Sequence, residues 1–149
     1  MVISMASDIT EQRANEKELK RREKRYKTYI DLSPISIMVT GKDARFVDVN
    51  KATCDLCGYS EEELLNMYIP DIDITEKDVD NIAGFAHLKD YDCYRSETQL
   101  RRKDGKIIDV DLSVVVFDED HYMAFAYDIS ERKEMEKLVV KHANDVLAL

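Results

Sequence analysis

Residues 45–65, RFVDVNKATCDLCGYSEEELL, decide the fold of this chain. The β-branched and aromatic residues of 45–49 favour an extended strand on a half-buried surface. Asn50 ends that strand, and its side chain is suited to cap the helix that follows. Gly58 provides the backbone freedom of a tight turn, and Ser60 opens a second helix, over 61–67, with the S-x-x-E spacing of a capping box. The stretch therefore predicts strand, helix, turn and helix in close succession.

The same pattern continues on both sides of this stretch. Residues 35–40 are predicted to form a strand that pairs with 46–49 through the turn Gly41-Lys42-Asp43-Ala44. Two long strands, 94–101 and 106–117, flank a Lys-Asp-Gly turn, and 122–127 forms the last strand. Thr75 and Asp78 predict a capped helix over 76–88. Five strands with a few short helices on one face predict an antiparallel α+β domain.

Three motifs in this order resemble a PAS sensor domain. They are the strand-Asn-helix-Gly-Tyr-Ser stretch, the hairpin RRKDGK at 101–106, and DISERK at 128–133, which is similar to the Asp-Ile-Thr signature that ends the domain. The resemblance covers residues 28–133. It implies the PAS fold, a five-stranded antiparallel sheet with short helices on one face and flanking helical linkers. The family usually has Gly where this chain has Ala44, which leaves the turn type open.

Composition limits the class of protein. A chain of 149 residues with 44% hydrophobic and 36% charged residues fits one domain with solvated helical extensions. The net charge of -9 argues against nucleic acid or an anionic membrane surface as partner. No apolar run approaches the roughly 20 residues of a membrane span. Three cysteines without a signal peptide indicate reduced thiols and a cytoplasmic protein.

An internal repeat predicts the domain boundaries. VISMASDIT at 2–10 is similar to YMAFAYDIS at 122–130, and each is followed by a charged helical stretch. We therefore expect residues 1–10 to be the remnant of a preceding PAS domain, 11–28 a helical linker, 29–130 the PAS domain, 131–141 a second linker and 142–149 the start of a following PAS domain. Residues 2–6 and 146–149 are expected to be disordered or paired with a neighbouring sheet.

The first helical linker, residues 11–28, has a pattern that predicts pairing with a second copy of the chain. Leu19, Tyr26 and Ile30 follow heptad-like spacing on an otherwise charged helix, which is marginal alone. A coiled coil between two chains is the preferred interpretation, and a single helix lying across its own domain is the alternative. The interleaved charges of 11–27 indicate a solvated face. We expect a homodimer through the N-terminal helix and the sheet, with neighbouring PAS and output domains as further partners.

Cofactor motifs of the family are incomplete. Haem-binding PAS domains use a His of the long helix, and His87 lies on that segment, but the helical wheel places it off the apolar face. Flavin-binding relatives have a reactive Cys where this chain has Asn66-Met67-Tyr68-Ile69. Haem and a flavin adduct are therefore not expected, and the cofactor is unknown.

The cysteines and His142 are candidates for a metal, redox or phosphoacceptor site, but the sequence lacks the other residues that such sites need. Cys54 and Cys57 form a Cys-x-x-Cys pair, but a zinc site needs a second pair and only Cys93 is left. Core packing of Cys57 is the preferred interpretation, with a redox or metal role as the alternative. His142 is followed by Ala and Asn, not by the acidic residue usual after a phosphoacceptor. We expect no catalytic site, no metal site and no enzyme activity.

Two sets of residues are predicted to carry function. The ligand-pocket candidates share an inward position in the strand and helix patterns, and all are also ordinary core candidates: Ile37, Val39, Val47, Ile82, Phe85, Val110 and Leu112. The signalling candidates lie at the end of the last strand and on the long hairpin: Asp128, Ile129, Ser130, Arg101 and Lys103. Asp128 is expected to hold a cation of the hairpin, and Ser130 to cap the outgoing helix. A plain strand end with a cap is the alternative.

The resemblance to PAS domains implies a sensor and signal-relay domain of a multi-domain signalling protein, a sensor histidine kinase. A small-molecule ligand or a partner would alter the sheet, and the flanking helices would carry the change onward. The alternative is a ligand-free PAS module that serves dimerisation and spacing. A small enzyme would require a cleft with perturbed titratable groups.

Overall fold

The computed structural model of the chain describes residues 2–74 and 92–148, with side chains described from residue 8 onward. Its elements, in chain order, are α1 (Val2–Leu32), β1 (Ser36–Gly41), β2 (Phe46–Val49), α2 (Lys51–Cys57), α3 (Glu61–Leu64), α4 (Ile69–Ile72), β3 (Cys93–Arg101), β4 (Ile107–Asp118), β5 (His121–Asp128) and α5 (Ser130–Leu147). Helix α1 forms one compact unit, and the chain from Ser33 onward forms the other.

The five strands form one antiparallel sheet in the order β2-β1-β5-β4-β3. The two long strands pair along their length, from Cys93 opposite Val115 to Arg101 opposite Ile107. Strand β5 lies between β1 and β4, so the last strand joins the two halves of the sheet. The predicted α+β class, the five strands and their antiparallel pairing are confirmed.

The turn signals in residues 45–65 act as predicted. Asn50 is the N-cap of α2, and its side chain accepts a hydrogen bond from Thr53 N. Gly58 ends α2 with φ +78°, in the left-handed region that glycine adopts without steric cost. Ser60 and Glu63 form a complete capping box at α3. Ala44 has φ +70° in the β1–β2 turn, so alanine adopts the conformation for which the family usually has glycine.

Three local expectations were wrong. Residues 2–6 were expected to be disordered or paired with a neighbouring sheet, but they lie in α1. The same was expected of residues 146–149, but α5 continues as helix to Leu147. The helix predicted over 61–67 ends at Leu64, because the chain turns towards α4 there. The helix predicted over 76–88 lies outside the described residues, and the division into domains stays a prediction.

The core fills one face of the sheet. Its buried apolar residues come from the strands and from α2 to α4: Met38, Ala44, Phe46, Val49, Cys57, Leu64, Ile72, Leu100, Ile108, Val110, Val114, Tyr122, Ala124 and Ala126. Burial of this surface is the main favourable term in folding. Within the described part of the chain, every helix is too short or too polar to cross a bilayer.

Candidate functional site

A small cavity lies between the sheet and α4. Its volume is about 30 Å³. The described residues of its wall are apolar except for Thr40 and Asp73: Met38, Thr40, Phe46, Ile69, Ile72, Asp73, Leu100, Leu112, Val114 and Ala124. Because one water molecule needs about 10–15 Å³ of such space, this cavity has room for one or two water-sized groups.

Asp73 is the charged residue of the cavity wall. Only 2% of it is exposed, and its Oδ1 accepts a hydrogen bond of 2.9 Å from Thr98 Oγ1, which is also buried. The backbone holds this pair in place, since Asp73 bridges to Leu100 and Ile74 N donates to Gln99 O at 3.1 Å. Burying a carboxylate is costly unless it is hydrogen-bonded, so this pair ties the end of α4 to β3.

The cavity contains one of the predicted pocket residues. Leu112 lines it, while Val110 is buried in the same core without lining it. Ile37 and Val39 lie on the opposite face of the sheet, since Met38 pairs with Val49 and Ala124 on the cavity side.

Val47 was assigned to the pocket, but 45% of it is exposed. Its neighbour Phe46 is buried and lines the cavity instead. A register shift between Val39 and Thr40 interrupts the alternation of the β1–β2 pair, and the sequence gives no signal of it. Ile82 and Phe85, and His87 for the haem hypothesis, lie outside the described residues.

A second site joins the sheet to α5. Ile129 N donates to Asp109 O at 2.8 Å, and Asp109 N donates to Ser130 Oγ at 2.9 Å. Ser130 N donates in turn to the Asp128 carboxylate at 2.9 Å. We call residues 128–133, with Glu97 and Asp109 of the sheet, the sheet–helix joint. These bonds fix the point where α5 leaves the sheet.

Glu97 anchors the first turn of α5 by charge. It lies 2.7 Å from Arg132 and 2.5 Å from Lys133, and it faces Asp111 across the β3–β4 pair. Two carboxylates directly opposite each other destabilise a strand pair, and the two cations of α5 offset this repulsion.

The protonation of Glu97 decides whether this anchor exists. The pKa of Glu97 is below its ordinary 4.5, chiefly because Lys133 donates a hydrogen bond to it. The pKa of Lys133 is raised above 10.5 by the same contact. The ion pair therefore contributes fully to stability between pH 4.5 and pH 10.5, the ordinary pKa values of the two groups. It is lost as pH falls below 4.5 and Glu97 is protonated, and at alkaline pH when Lys133 loses its proton.

The ion pair predicted for the joint does not form between the predicted partners. The Asp128 carboxylate accepts from its own turn at Ser130, and Lys103 Nζ pairs with Glu63 at 2.8 Å. Strand β4 lies between β5 and β3, so it separates Asp128 from the hairpin residues Arg101 and Lys103. Ser130 is the first residue of α5 rather than its cap, and Ile129 holds the cap position.

Cys57 packs in the core. Burial raises the pKa of its thiol to about 12, with a smaller contribution from Cys54. A thiol with this pKa is protonated at neutral pH and is a poor nucleophile and metal ligand. Among the described residues, no group of three His, Cys, Asp or Glu side chains is placed to hold a metal ion. His142 lies on the exposed surface of α5.

A comparison of the sequence with known protein families identifies the domain formed by the sheet, the short helices and the start of α5. The PAS domain model matches residues 34–131, which is more than half of the chain. The chain belongs to the PAS domain family. The matched residues contain all five strands of the PAS domain and end in the first turn of α5.

Solved PAS domains have the same fold. The PAS domain of an HTR-like protein from Haloarcula marismortui is 25% identical, with a TM-score of 0.71 over 78% of this chain and 99% of that one. A PAS domain from a two-component sensor histidine kinase is also 25% identical, with a TM-score of 0.63 over 73% of this chain and 97% of that one.

A curated relative is much longer than this chain. Sporulation kinase E of Bacillus subtilis is 24% identical over 136 residues, which cover 91% of this chain and 18% of the kinase. This PAS domain is thus similar to PAS domains of sensor histidine kinases. The chain spans about a fifth of that relative.

Proposed function

We propose that this PAS domain is a non-catalytic signal-relay module of a cytoplasmic part of a sensor histidine kinase. A ligand or a partner alters the sheet, and the sheet–helix joint transmits the change to α5. The observation that carries this proposal is the way α5 is attached. None of the residues of this fully described helix is buried, so polar contacts at its first turn set its position.

Polar attachment suits a relay. A helix held by apolar packing resists movement, because its displacement exposes core surface to water. Helix α5 is instead held by the bonds of Ile129 and Ser130 to Asp109 and by the ion pairs of Glu97. Each of these contacts is directional, so a small shift of β3 or β4 alters them and changes the populations of helix positions. The change of position is the proposed output.

The helices are also the proposed contacts with other chains and domains. In α1 the apolar side chains of Leu19, Tyr26, Tyr29 and Leu32 are all exposed. A helix of 31 residues with this surface gains stability from pairing with a second copy, so we propose a homodimer through α1 and the sheet. In α5 the exposed Met135, Leu138 and Val139 support a continuing contact with a neighbouring domain.

The size of the cavity supports a second candidate function, a ligand-free module for dimerisation and spacing. Small-molecule pockets usually measure about 300–1,000 Å³, whereas this apolar cavity measures about 30 Å³. Native mass spectrometry of the purified chain separates the two functions. A retained small molecule on the dimer supports sensing of a ligand. A dimer of bare chains supports relay between partners, and a bare monomer contradicts both dimer proposals.

The relay proposal predicts that Glu97→Gln loosens α5 without unfolding the sheet. Loss of the charge removes both ion pairs, so amide hydrogen exchange in residues 133–136, the first amides of α5 with helical hydrogen bonds, should accelerate by about twofold to fivefold, while β4 and β5 remain protected. Glu119→Gln is the matched control, because Glu119 is an exposed carboxylate in the β4–β5 turn, away from the joint. Unchanged exchange in α5 of the Glu97 variant would contradict the relay proposal.

A further inference from the structure

Strand β3 contacts both functional sites with adjacent residues. Thr98 points to the cavity side, where its hydroxyl bonds Asp73, and Leu100 lines the cavity two residues further on. Glu97 points to the opposite face, where it holds Arg132 and Lys133. Successive side chains of a strand lie on opposite faces, so the two contacts share one peptide unit. A movement of Thr98 therefore displaces Glu97 directly.

The position of β3 in the sheet makes such a movement easier than it would be elsewhere. Among the described strands β3 pairs with β4 alone, because it lies at the edge of the sheet. On its other side the chain just after α4 is attached by the Asp73–Leu100 bridge and by the bond from Ile74 N to Gln99 O. The Thr98–Asp73 hydrogen bond is thus a side-chain contact that holds β3 to the cavity wall.

We infer that Thr98 is a positioning residue that couples the cavity to the output helix. Any change in the cavity that separates the Thr98 hydroxyl from Asp73 shifts β3, moves the Glu97 carboxylate and weakens its hold on α5. This inference rests on the proposed relay function and adds the route by which the cavity regulates it. It assigns the Asp73–Thr98 pair a role in signalling in addition to its role in packing.

The test is Thr98→Val in the full 149-residue chain, since valine keeps the shape of threonine and removes the hydroxyl. Amide exchange in residues 133–136, the first amides of α5 with helical hydrogen bonds, should accelerate by about threefold to tenfold, although Thr98 lies on the face of the sheet opposite to α5. Thr40→Val is the matched control. Thr40 lines the same cavity and is equally buried, but it lies on β1, which does not pair with β3. Exchange in α5 should stay unchanged in this control.

Further variants keep the result interpretable. Thr98→Ser retains the hydroxyl and should restore the wild-type exchange rate of α5. If Thr98→Val does not fold, Asp73→Asn replaces it, because the amide still accepts from Thr98 but without the charge. The exchange rate of α5 should then rise by a smaller factor than the loss of the hydrogen bond would cause.

The outcomes separate this inference from the relay proposal. If Glu97→Gln accelerates exchange in α5 and Thr98→Val does not, the relay proposal stands and the coupling through Thr98 is wrong. If Thr40→Val accelerates exchange as much as Thr98→Val, the effect is general loss of cavity packing, and the inference is overturned. If Glu97→Gln itself has no effect, the relay proposal fails independently of Thr98.

Discussion

Asn50→Ala should lower the free energy of unfolding by about 3–4 kcal/mol. Asn50 is 1% exposed and joins β1 to α2. Its Oδ1 accepts from Ile37 N at 3.0 Å and from the backbone and hydroxyl of Thr53, while its Nδ2 donates to Ile35 O at 2.9 Å. Alanine removes these four hydrogen bonds, although Thr53 keeps its bonds to the carbonyl oxygens of Asn50 and Ile37. Urea unfolding followed by circular dichroism measures the change.

Asn66→Ala is the control for this prediction. Asn66 is exposed and donates one hydrogen bond, to Glu62 O of the same helical turn. Water replaces such a partner, so the loss should stay within about 0.5 kcal/mol. Equal losses for Asn50→Ala and Asn66→Ala would show that Asn50 does not organise the strand-to-helix connection.

Phe46→Ala should lower the free energy of unfolding by about 3–5 kcal/mol, because it deletes a large side chain from the core and leaves a cavity. Phe46 is 1% exposed and already borders the cavity next to α4. The adjacent Val47 is the matched control, since it lies on the same strand with its side chain largely in water. Val47→Ala should change the stability by less than about 0.5 kcal/mol.

The comparison of these two neighbours also tests the cavity wall. If Val47→Ala destabilises the protein as much as Phe46→Ala, then Val47 is the inward residue of β2, as its apolar character suggested. The enlarged cavity of Phe46→Ala should also bind benzene, which thermal stabilisation by added benzene would detect. If benzene does not stabilise Phe46→Ala, and this variant loses little free energy of unfolding, then Phe46 does not border the cavity.

Local signals made the fold predictable. Asn50, Gly58 and the Ser60 capping box each specify one backbone conformation through their own side chain or lack of one. The Lys-Asp-Gly turn fixed the long hairpin, because its residues favour the required dihedral angles. These signals act within a few residues, so the sequence contains them in full.

The cavity and the joint were less predictable because they depend on contacts between distant residues. Strand β1 is apolar on both faces, with Ile37, Met38 and Val39 in succession, so alternation does not reveal which of them faces the cavity. Glu97 and Lys133 lie on different elements, β3 and α5, with two further strands between them in the sequence, and no spacing rule links them. Asp128 had a closer partner in Ser130 than the hairpin cations that its charge suggested.

Residues 2–10 show the limit of reasoning from repeats. Their similarity to the last strand predicted the remnant of a strand, yet the segment forms part of α1. A strand needs partners for its backbone groups, whereas a helix satisfies them internally. The same sequence pattern therefore occurs as helix in α1 and as strand in β5.

The central claim is that the charge contact between Glu97 and the first turn of α5 transmits the state of the sheet. Exchanging the charges tests it most directly. Glu97→Lys should release α5 while the sheet keeps its stability, because the new lysine faces Asp111 across β3 and β4. Adding Lys133→Glu should restore the protection of the amides at 133–136 against hydrogen exchange. If the double variant is as unprotected as Glu97→Lys alone, or if Glu97→Lys leaves α5 protected, the contact does not hold the helix and the relay account is contradicted.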